Sequence, residues 1–315
     1  VFAWLLSPTK QLGFLEPEKL LFIAQPQRNY VHLGDMLSYL ALCIFHMLLC
    51  GAVIAALVLW LSRLPRRQTQ AGLVYLAAIL LLGSAVIFFF HKQADNQALI
   101  QLGYKAVCQV IAEAKLPTEL VKDGKCFAGD TITRLTALAW VPAFIGMAAV
   151  GFGSAYAYAT ERDLPAEGTK GDPAWREALD QRIKALQRTV YLLSAVLVSS
   201  TITITLFAHL PVGLLADSPD SAPAAALSKY ATGLSTFWGA LFSITLVATF
   251  AVPALRLLEE AYGAAEKDEA GTDLRTWLQE HVFQSLKRQL ATVFSLLAPL
   301  LVGPLSSLLS SVSGL

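Results

Sequence analysis

Charged side chains are scarce in this sequence. They make up 15% of its 315 residues, against about 25% in a typical soluble domain. Six stretches of about 20 residues or more contain no Asp, Glu, Lys or Arg, and a helix of that length crosses a hydrocarbon core of roughly 30 Å. The sequence therefore predicts an all-α fold, a polytopic transmembrane helix bundle of about six spans. These spans lie near residues 36–61, 71–90, 135–159, 189–208, 231–255 and 289–315.

Ionisable side chains are also missing from the middle of the predicted spans, with the exception of one histidine. Proton-coupled transporters usually need an acid or base that titrates there, and intramembrane proteases need paired aspartates or a metal site. The sequence also lacks a Walker motif, a Rossmann glycine pattern, a nucleophile elbow and zinc-ligand spacing. These absences argue against an enzyme, so we expect no catalytic residues, no metal site and no cofactor.

The net charge is +1, which gives no reason to expect nucleic acid as a partner. The loops between the spans are all shorter than about 45 residues, which leaves no room for a separate soluble domain. We therefore expect one membrane domain over residues 34–315, preceded by an outer-face interfacial segment over residues 1–33. The chain begins with Val1 rather than Met, so an earlier segment is left open.

Arginine predicts how the spans sit in the membrane. The short loop after the first span contains Arg63, Arg66 and Arg67 and no acid, as cytoplasmic loops tend to. With that loop inside, ten arginines are cytoplasmic and two are outside. The sequence therefore predicts a multi-pass protein of a bacterial inner membrane, with the N-terminus and the C-terminus both outside.

The outer loop over residues 91–134 contains two cysteines, Cys108 and Cys126. Disulfides persist in oxidising compartments and are rare in the cytosol. This orientation therefore predicts a disulfide between them, with two free thiols as the alternative.

Three more outer-face features follow from local patterns. Apolar residues at roughly helical spacing predict an amphipathic helix over about 95–115. Asp123–Gly124 predicts a turn. The other outer loop, around 216–229, combines Ser, Asp and Pro and is expected to be a flexible linker.

Two cytoplasmic helical extensions are predicted, over residues 172–188 and 256–288. Asp172–Pro173 favours a helix start, because the carboxylate can cap the first turn and proline suits the first helical position. An apolar stripe then runs without interruption into span four, and span five is expected to continue past the membrane similarly. The stripe packs either on its own chain or on a partner subunit. Its residues are Trp175, Leu179, Ile183, Leu186 and Val190.

Hydroxyl side chains are concentrated in spans four and five. In lipid this density indicates helices that are shielded from the acyl chains, and spans three to five are expected to form the packed centre. The alternative is an oligomeric ion-conducting pore lined by Ser194, Thr201 and Thr205, although a channel usually also shows a charge ring or a carbonyl filter.

Small residues predict where helices approach closely. Ala149, Gly153 and Ala157 recur every four residues in span three, and Ser235, Gly239 and Ser243 do so in span five. Such spacing lets helix backbones come into contact. We therefore expect Gly153, Gly239 and Ser243 to be packing positions.

His46 is the ionisable residue inside a span. It shares a helix face with Cys43 and Cys50, at steps of three and four residues. A histidine can ligate haem in a membrane bundle, which would make the chain a haem-binding redox subunit. The competing interpretation is a buried histidine that hydrogen-bonds a neighbouring hydroxyl or carbonyl.

The last span is amphipathic over residues 305–311, where serine and leucine pairs alternate, and we expect it to cross the membrane. Taken together, these patterns predict a non-enzymatic integral membrane subunit that acts by helix–helix association. Its expected partners are membrane lipids and either copies of itself or other membrane proteins. The pore and the haem subunit remain the alternatives.

Overall fold

The computed structural model describes the chain over five helices and a few shorter pieces. Its described residues are 29–62, parts of 66–85, 121–122, 125–126, 145–154, 173–216, 222–267, 276 and 292–302. The helices are α1 (Asn29–Leu61), α2 (Ile145–Ser154), α3 (Pro173–Ala216), α4 (Ala222–Lys267) and α5 (Thr292–Val302). The pieces within 66–85 are helical as well.

Three helices are long and apolar enough to cross a membrane: Leu37–Trp60, Ala174–His209 and Ala231–Gly263. They coincide with the predicted spans one, four and five, so the prediction of an all-α membrane protein is confirmed at this level. The described parts of the other three predicted spans are helical but shorter. The count of six spans therefore stays a prediction.

Helices α3 and α4 are much longer than a membrane is thick. They contain 44 and 46 residues, which corresponds to roughly 65–70 Å at about 1.5 Å per residue. Helix α3 begins at Pro173, as the Asp172–Pro173 pair predicts, and α4 continues past the apolar run to Lys267. Both helices therefore extend well beyond a hydrocarbon core.

The predicted linker around 216–229 is wrong in its extent. Helix α4 begins at Ala222, so residues 222–229 are helical. Proline is tolerated in the first turn of a helix, and the three alanines after Pro223 are strong helix formers. The Ser, Asp and Pro residues before Ala222 are typical of a loop, so the sequence pattern did not indicate the start of α4 there.

Helix α3 lies at the centre of the bundle. In its most apolar window 56% of the residues are buried, against 22% in α1 and 28% in α4. The contacts Tyr39–Phe207 and His46–Ser199 advance along α1 and retreat along α3, so these helices are antiparallel. The core around α3 is apolar and draws on four helices. It contains Cys50, Val53, Ala149, Val150, Val190, Leu193, Val196, Leu197, Ile204, Phe242, Leu246 and Phe250.

Large apolar side chains point outward on α1, α4 and α5, as expected for helices that face lipid. They include Ile44, Phe45, Leu48, Ile244, Val247, Phe294 and Leu297.

A two-residue antiparallel ladder pairs Val121 with Cys126 and Lys122 with Lys125. The predicted turn at 123–124 falls between its strands. The interfacial segment predicted over residues 1–33 is wrong at its end, because residues 29–33 belong to α1. Several predictions lie outside the described residues: the first 28 residues of that segment, the helix over 95–115, Cys108 with the predicted disulfide, most of the extension beyond Lys267, and the serine–leucine repeat of the last span.

Candidate functional site

The hydroxyl side chains of α3 face the inside of the bundle. Seven Ser and Thr residues of α3 are buried: Thr189, Ser194, Ser199, Ser200, Thr201, Thr203 and Thr205. The predicted shielding from lipid is therefore observed for α3, but it is wrong for α4, of whose most apolar window only 28% is buried. Thr201 and Thr205 donate to the carbonyls of Leu197 and Thr201, each at 2.8 Å. Two of the three pore candidates thus use their hydroxyl hydrogens on their own helix, and this geometry gives the pore hypothesis no support.

Ser194, the third pore candidate, joins α3 to α5. Its hydroxyl donates to the carbonyl of Ser295. That carbonyl needs an outside donor because Pro299, four residues later, has no N–H to complete the helical hydrogen bond. One turn earlier, the Tyr191 and Thr292 hydroxyl oxygens lie 3.2 Å apart. Both contacts join residues 101 positions apart, so α3 and α5 run parallel here.

The predicted packing positions on α4 contact the same part of α5. A Cβ on Gly239 would overlap the Pro299 carbonyl oxygen and lie 3.1 Å from the Cα of Leu300. The Leu300 N–H donates to the Ser243 hydroxyl oxygen at 3.2 Å. The small residues at 239 and 243 therefore admit the backbone of α5.

Gly153 lies in a second close approach, between α2 and α3. A Cβ there would overlap the methyl group of Thr189, and one on Gly146 would lie 2.9 Å from Val196. The two contacts run in opposite senses along the helices, so α2 is antiparallel to α3. The sequence predicts Gly153 as a packing position without naming its neighbour, and that neighbour is α3.

His46 belongs to α1 and is fully buried against α3. Its Nδ1 lies 2.5 Å from Ser199 Oγ, and its Nε2 lies 3.7 Å from Cys50 Sγ. Ser199 Oγ also lies 2.9 Å from the Val196 carbonyl, to which its hydroxyl can donate. The tautomer with its proton on Nδ1 fits these contacts, because Nδ1 then donates to Ser199 and Nε2 accepts from the Cys50 S–H.

This arrangement does not fit a haem. The ring is fully buried, and both of its nitrogens face side chains of this chain. An iron at Nε2 would have to take the place of Cys50. Among the described residues, no three His, Cys, Asp or Glu side chains are placed to share a metal ion. The geometry matches the competing interpretation of His46.

The charged ends of α3 and α4 pack together outside the apolar region. Arg182 pairs with Glu260 across the two helices at 3.6 Å, and Lys184 pairs with Asp180 along α3. Trp175 and Leu179 of the predicted apolar stripe are fully buried within this single chain. At these two positions the stripe therefore packs on its own chain and not on a partner subunit.

No family model matches the chain, and neither a curated protein nor a solved structure shows a significant similarity to it. Sequence reasoning missed the Ser194–Ser295 and His46–Ser199 contacts, because the proline and the histidine mark only one half of each.

Proposed function

We propose that this chain is a non-enzymatic integral membrane subunit that acts by helix–helix association, with copies of itself or with other membrane proteins. In this proposal it crosses a bacterial inner membrane six times, with both termini outside. The observation that carries the proposal is the use of the buried polar groups. His46 contacts Ser199 between α1 and α3, and Ser194 bonds the Ser295 carbonyl between α3 and α5. These buried polar side chains therefore hold helices together, and this use favours a structural role over a catalytic one.

The surface left for association is apolar and lies on helices at the edge of the bundle. Leu48 on α1, Ile244 on α4 and Phe294 on α5 are each more than 60% exposed. Lipid covers such residues in a monomer, and a partner helix covers some of them in an assembly.

A photo-crosslinking scan tests association directly. A photoreactive residue would replace Leu48, Ile244 or Phe294 in turn, and the chain would be irradiated in its native membrane. We expect at least one position to give a discrete product of higher mass. The matched control is Leu246, which is fully buried and should crosslink only within the chain. Lipid adducts alone at all three outward positions, with a single-chain mass in native mass spectrometry, would refute the proposal.

Orientation has a separate test. A single cysteine in place of Arg66 should react with a membrane-impermeant reagent only from the cytoplasmic side. Cys108 should resist thiol labelling until it is reduced. Labelling of position 66 from outside would reverse the proposed topology without affecting the association proposal.

A further inference from the structure

Helix α5 has the smallest share of buried residues of the five helices. Over Thr292–Val302, Pro299 is the only buried residue, and Leu296 adds a half-buried side chain to the apolar core. Large apolar side chains of the same helix point outward, with exposed fractions of 40–62%: Val293, Phe294, Leu297 and Leu301. Little apolar surface therefore holds α5 against the rest of the bundle.

Hydroxyl groups of α3 and α4 hold α5 in place. Ser194 of α3 donates to the Ser295 carbonyl, and the Leu300 N–H donates to Ser243 of α4 at 3.2 Å. One more hydroxyl pair joins α3 to α5 a turn earlier. Hydrogen bonds between membrane helices are each worth little more than thermal energy. The attachment of α5 therefore depends on a few weak contacts.

These contacts lie around the proline of α5. Pro299 has no N–H, so the helical hydrogen bond that the Ser295 carbonyl would accept is missing. The Pro299 carbonyl and the Leu300 backbone lie against Gly239 of α4, where an added Cβ would overlap the carbonyl oxygen. The groove between α3 and α4 therefore receives α5 only when position 239 has no side chain.

The other four helices pack on one another without α5. The buried side chains of the apolar core come from α1, α2, α3 and α4. His46 of α1 contacts Ser199 of α3, and Arg182 of α3 pairs with Glu260 of α4. None of these contacts passes through α5. Removal of α5 from its groove therefore leaves them intact.

We propose that α5 docks on and leaves the groove between α3 and α4 as a unit, while the other four helices stay packed. Segments with few buried apolar contacts open at a lower free energy than the core of a protein. Undocking uncovers Gly239 and Ser243, small residues that let another membrane helix approach closely. The docked α5 thus covers a helix-packing surface of α4. This inference concerns a single chain and is independent of the association proposal.

Distances between spin labels measure docking. Labels attached to genetically encoded ketone residues in place of Leu48 and Phe294, which both face outward, report the distance between α1 and α5. Labels in place of Leu48 and Ile244 report the distance between α1 and α4 in the same way. The labelled chain would be reconstituted in bilayers with an excess of unlabelled chain, so that double electron–electron resonance records distances within one chain.

Substitutions in the groove should change the first distance and not the second. In the unsubstituted chain we expect one main α1–α5 distance, and a second distance in at most about a tenth of the molecules. Gly239→Ala should raise the ratio of the second to the first by about fivefold or more, because the added Cβ overlaps the docked backbone. The double variant Ser194→Ala/Ser243→Ala should raise it as well, without added bulk. The α1–α4 distance should stay the same in every variant.

Two matched controls change the same residue types away from the groove. Gly233 of α4 has no atom within 4 Å of an added Cβ, and the Ser154 hydroxyl bonds within α2. Gly233→Ala and Ser154→Ala should leave both distances unchanged. An unchanged α1–α5 distance in both groove variants would overturn the inference. A joint change of both distances in these variants would also overturn it, because the bundle would then open as a whole.

Discussion

Helices α3 and α1 are both apolar enough to cross a membrane, yet they use their side chains differently. In α3 more than half of the apolar window is buried, and buried hydroxyls bond to α1, to α5 and to the backbone of α3 itself. In α1 about a fifth of the window is buried, and large apolar residues face outward. The comparison shows that hydropathy selects both membrane helices, whereas buried hydroxyls distinguish α3 from α1.

Replacing a leucine with alanine should lower the free energy of unfolding far more on the inward face than on the outward face. Leu246 is fully buried, whereas Leu48 is 69% exposed. Leu246→Ala leaves a cavity and should cost about 2–5 kcal/mol of unfolding free energy. Leu48→Ala should cost less than about 0.5 kcal/mol, because lipid fills the space. Denaturant unfolding in mild detergent, followed by circular dichroism, measures both, and similar costs would contradict the assignment of the two faces.

Two glycines of α4 lie in different surroundings, one against α5 and one in open space. Gly239→Ala pushes a Cβ into the backbone of α5, so we expect a loss of about 1–3 kcal/mol. Gly233 has no atom within 4 Å of an added Cβ. Gly233→Ala should therefore gain about 0.5–1 kcal/mol from helix propensity. The same unfolding assay measures both variants. An unchanged stability of Gly239→Ala would contradict the close approach of α4 and α5.

A double-mutant cycle tests the polar contact between α1 and α3. Ser199→Ala removes the hydroxyl oxygen that lies 2.5 Å from Nδ1 of His46, so it should destabilise the chain in the unsubstituted background. In a His46→Leu background the same change should cost less. We expect a coupling energy of about 0.5–2 kcal/mol, and additive effects would show that the two side chains do not interact.

The smallest expected effect concerns the carbonyl left without a donor by Pro299. Ser194→Ala should cost about 1 kcal/mol but almost nothing in a Pro299→Ala background, where an alanine N–H can bond the Ser295 carbonyl. Ser154→Ala is the control, because its hydroxyl donates to the Val150 carbonyl in its own helix at 3.0 Å. An equal cost of Ser194→Ala in both backgrounds would contradict this role.

The sequence predicts the helices better than their contacts. Charge-free runs locate α1, α3 and α4, and Asp172–Pro173 locates the start of α3. Both signals are local and follow from the cost of charge in lipid and from helix capping. The helical start at Ala222 was missed because Ser, Asp and Pro just before it resemble a loop.

The contacts depend on residues far apart in the chain. His46 and Ser199 are 153 positions apart, and Ser194 and Ser295 are 101 apart. One partner of each pair is marked in the sequence: His46 is a histidine in an apolar run, and Ser295 lies four residues before Pro299. The other becomes evident only when the helices are packed. Gly239 was expected to be a packing position, but α5 could not be identified as its neighbour from spacing alone.

Water access to α3 in the native membrane distinguishes a packed central helix from one that lines a pore. Cysteines in place of Thr201 and Thr205 would be exposed to a small, membrane-impermeant thiol reagent, with Lys229→Cys as the accessible control and the unsubstituted chain as the background. If the α3 hydroxyls serve only to hold helices together, positions 201 and 205 stay unlabelled while position 229 reacts. Labelling at 201 and 205 at the rate of position 229 would mean that water lines α3, and it would favour a pore instead.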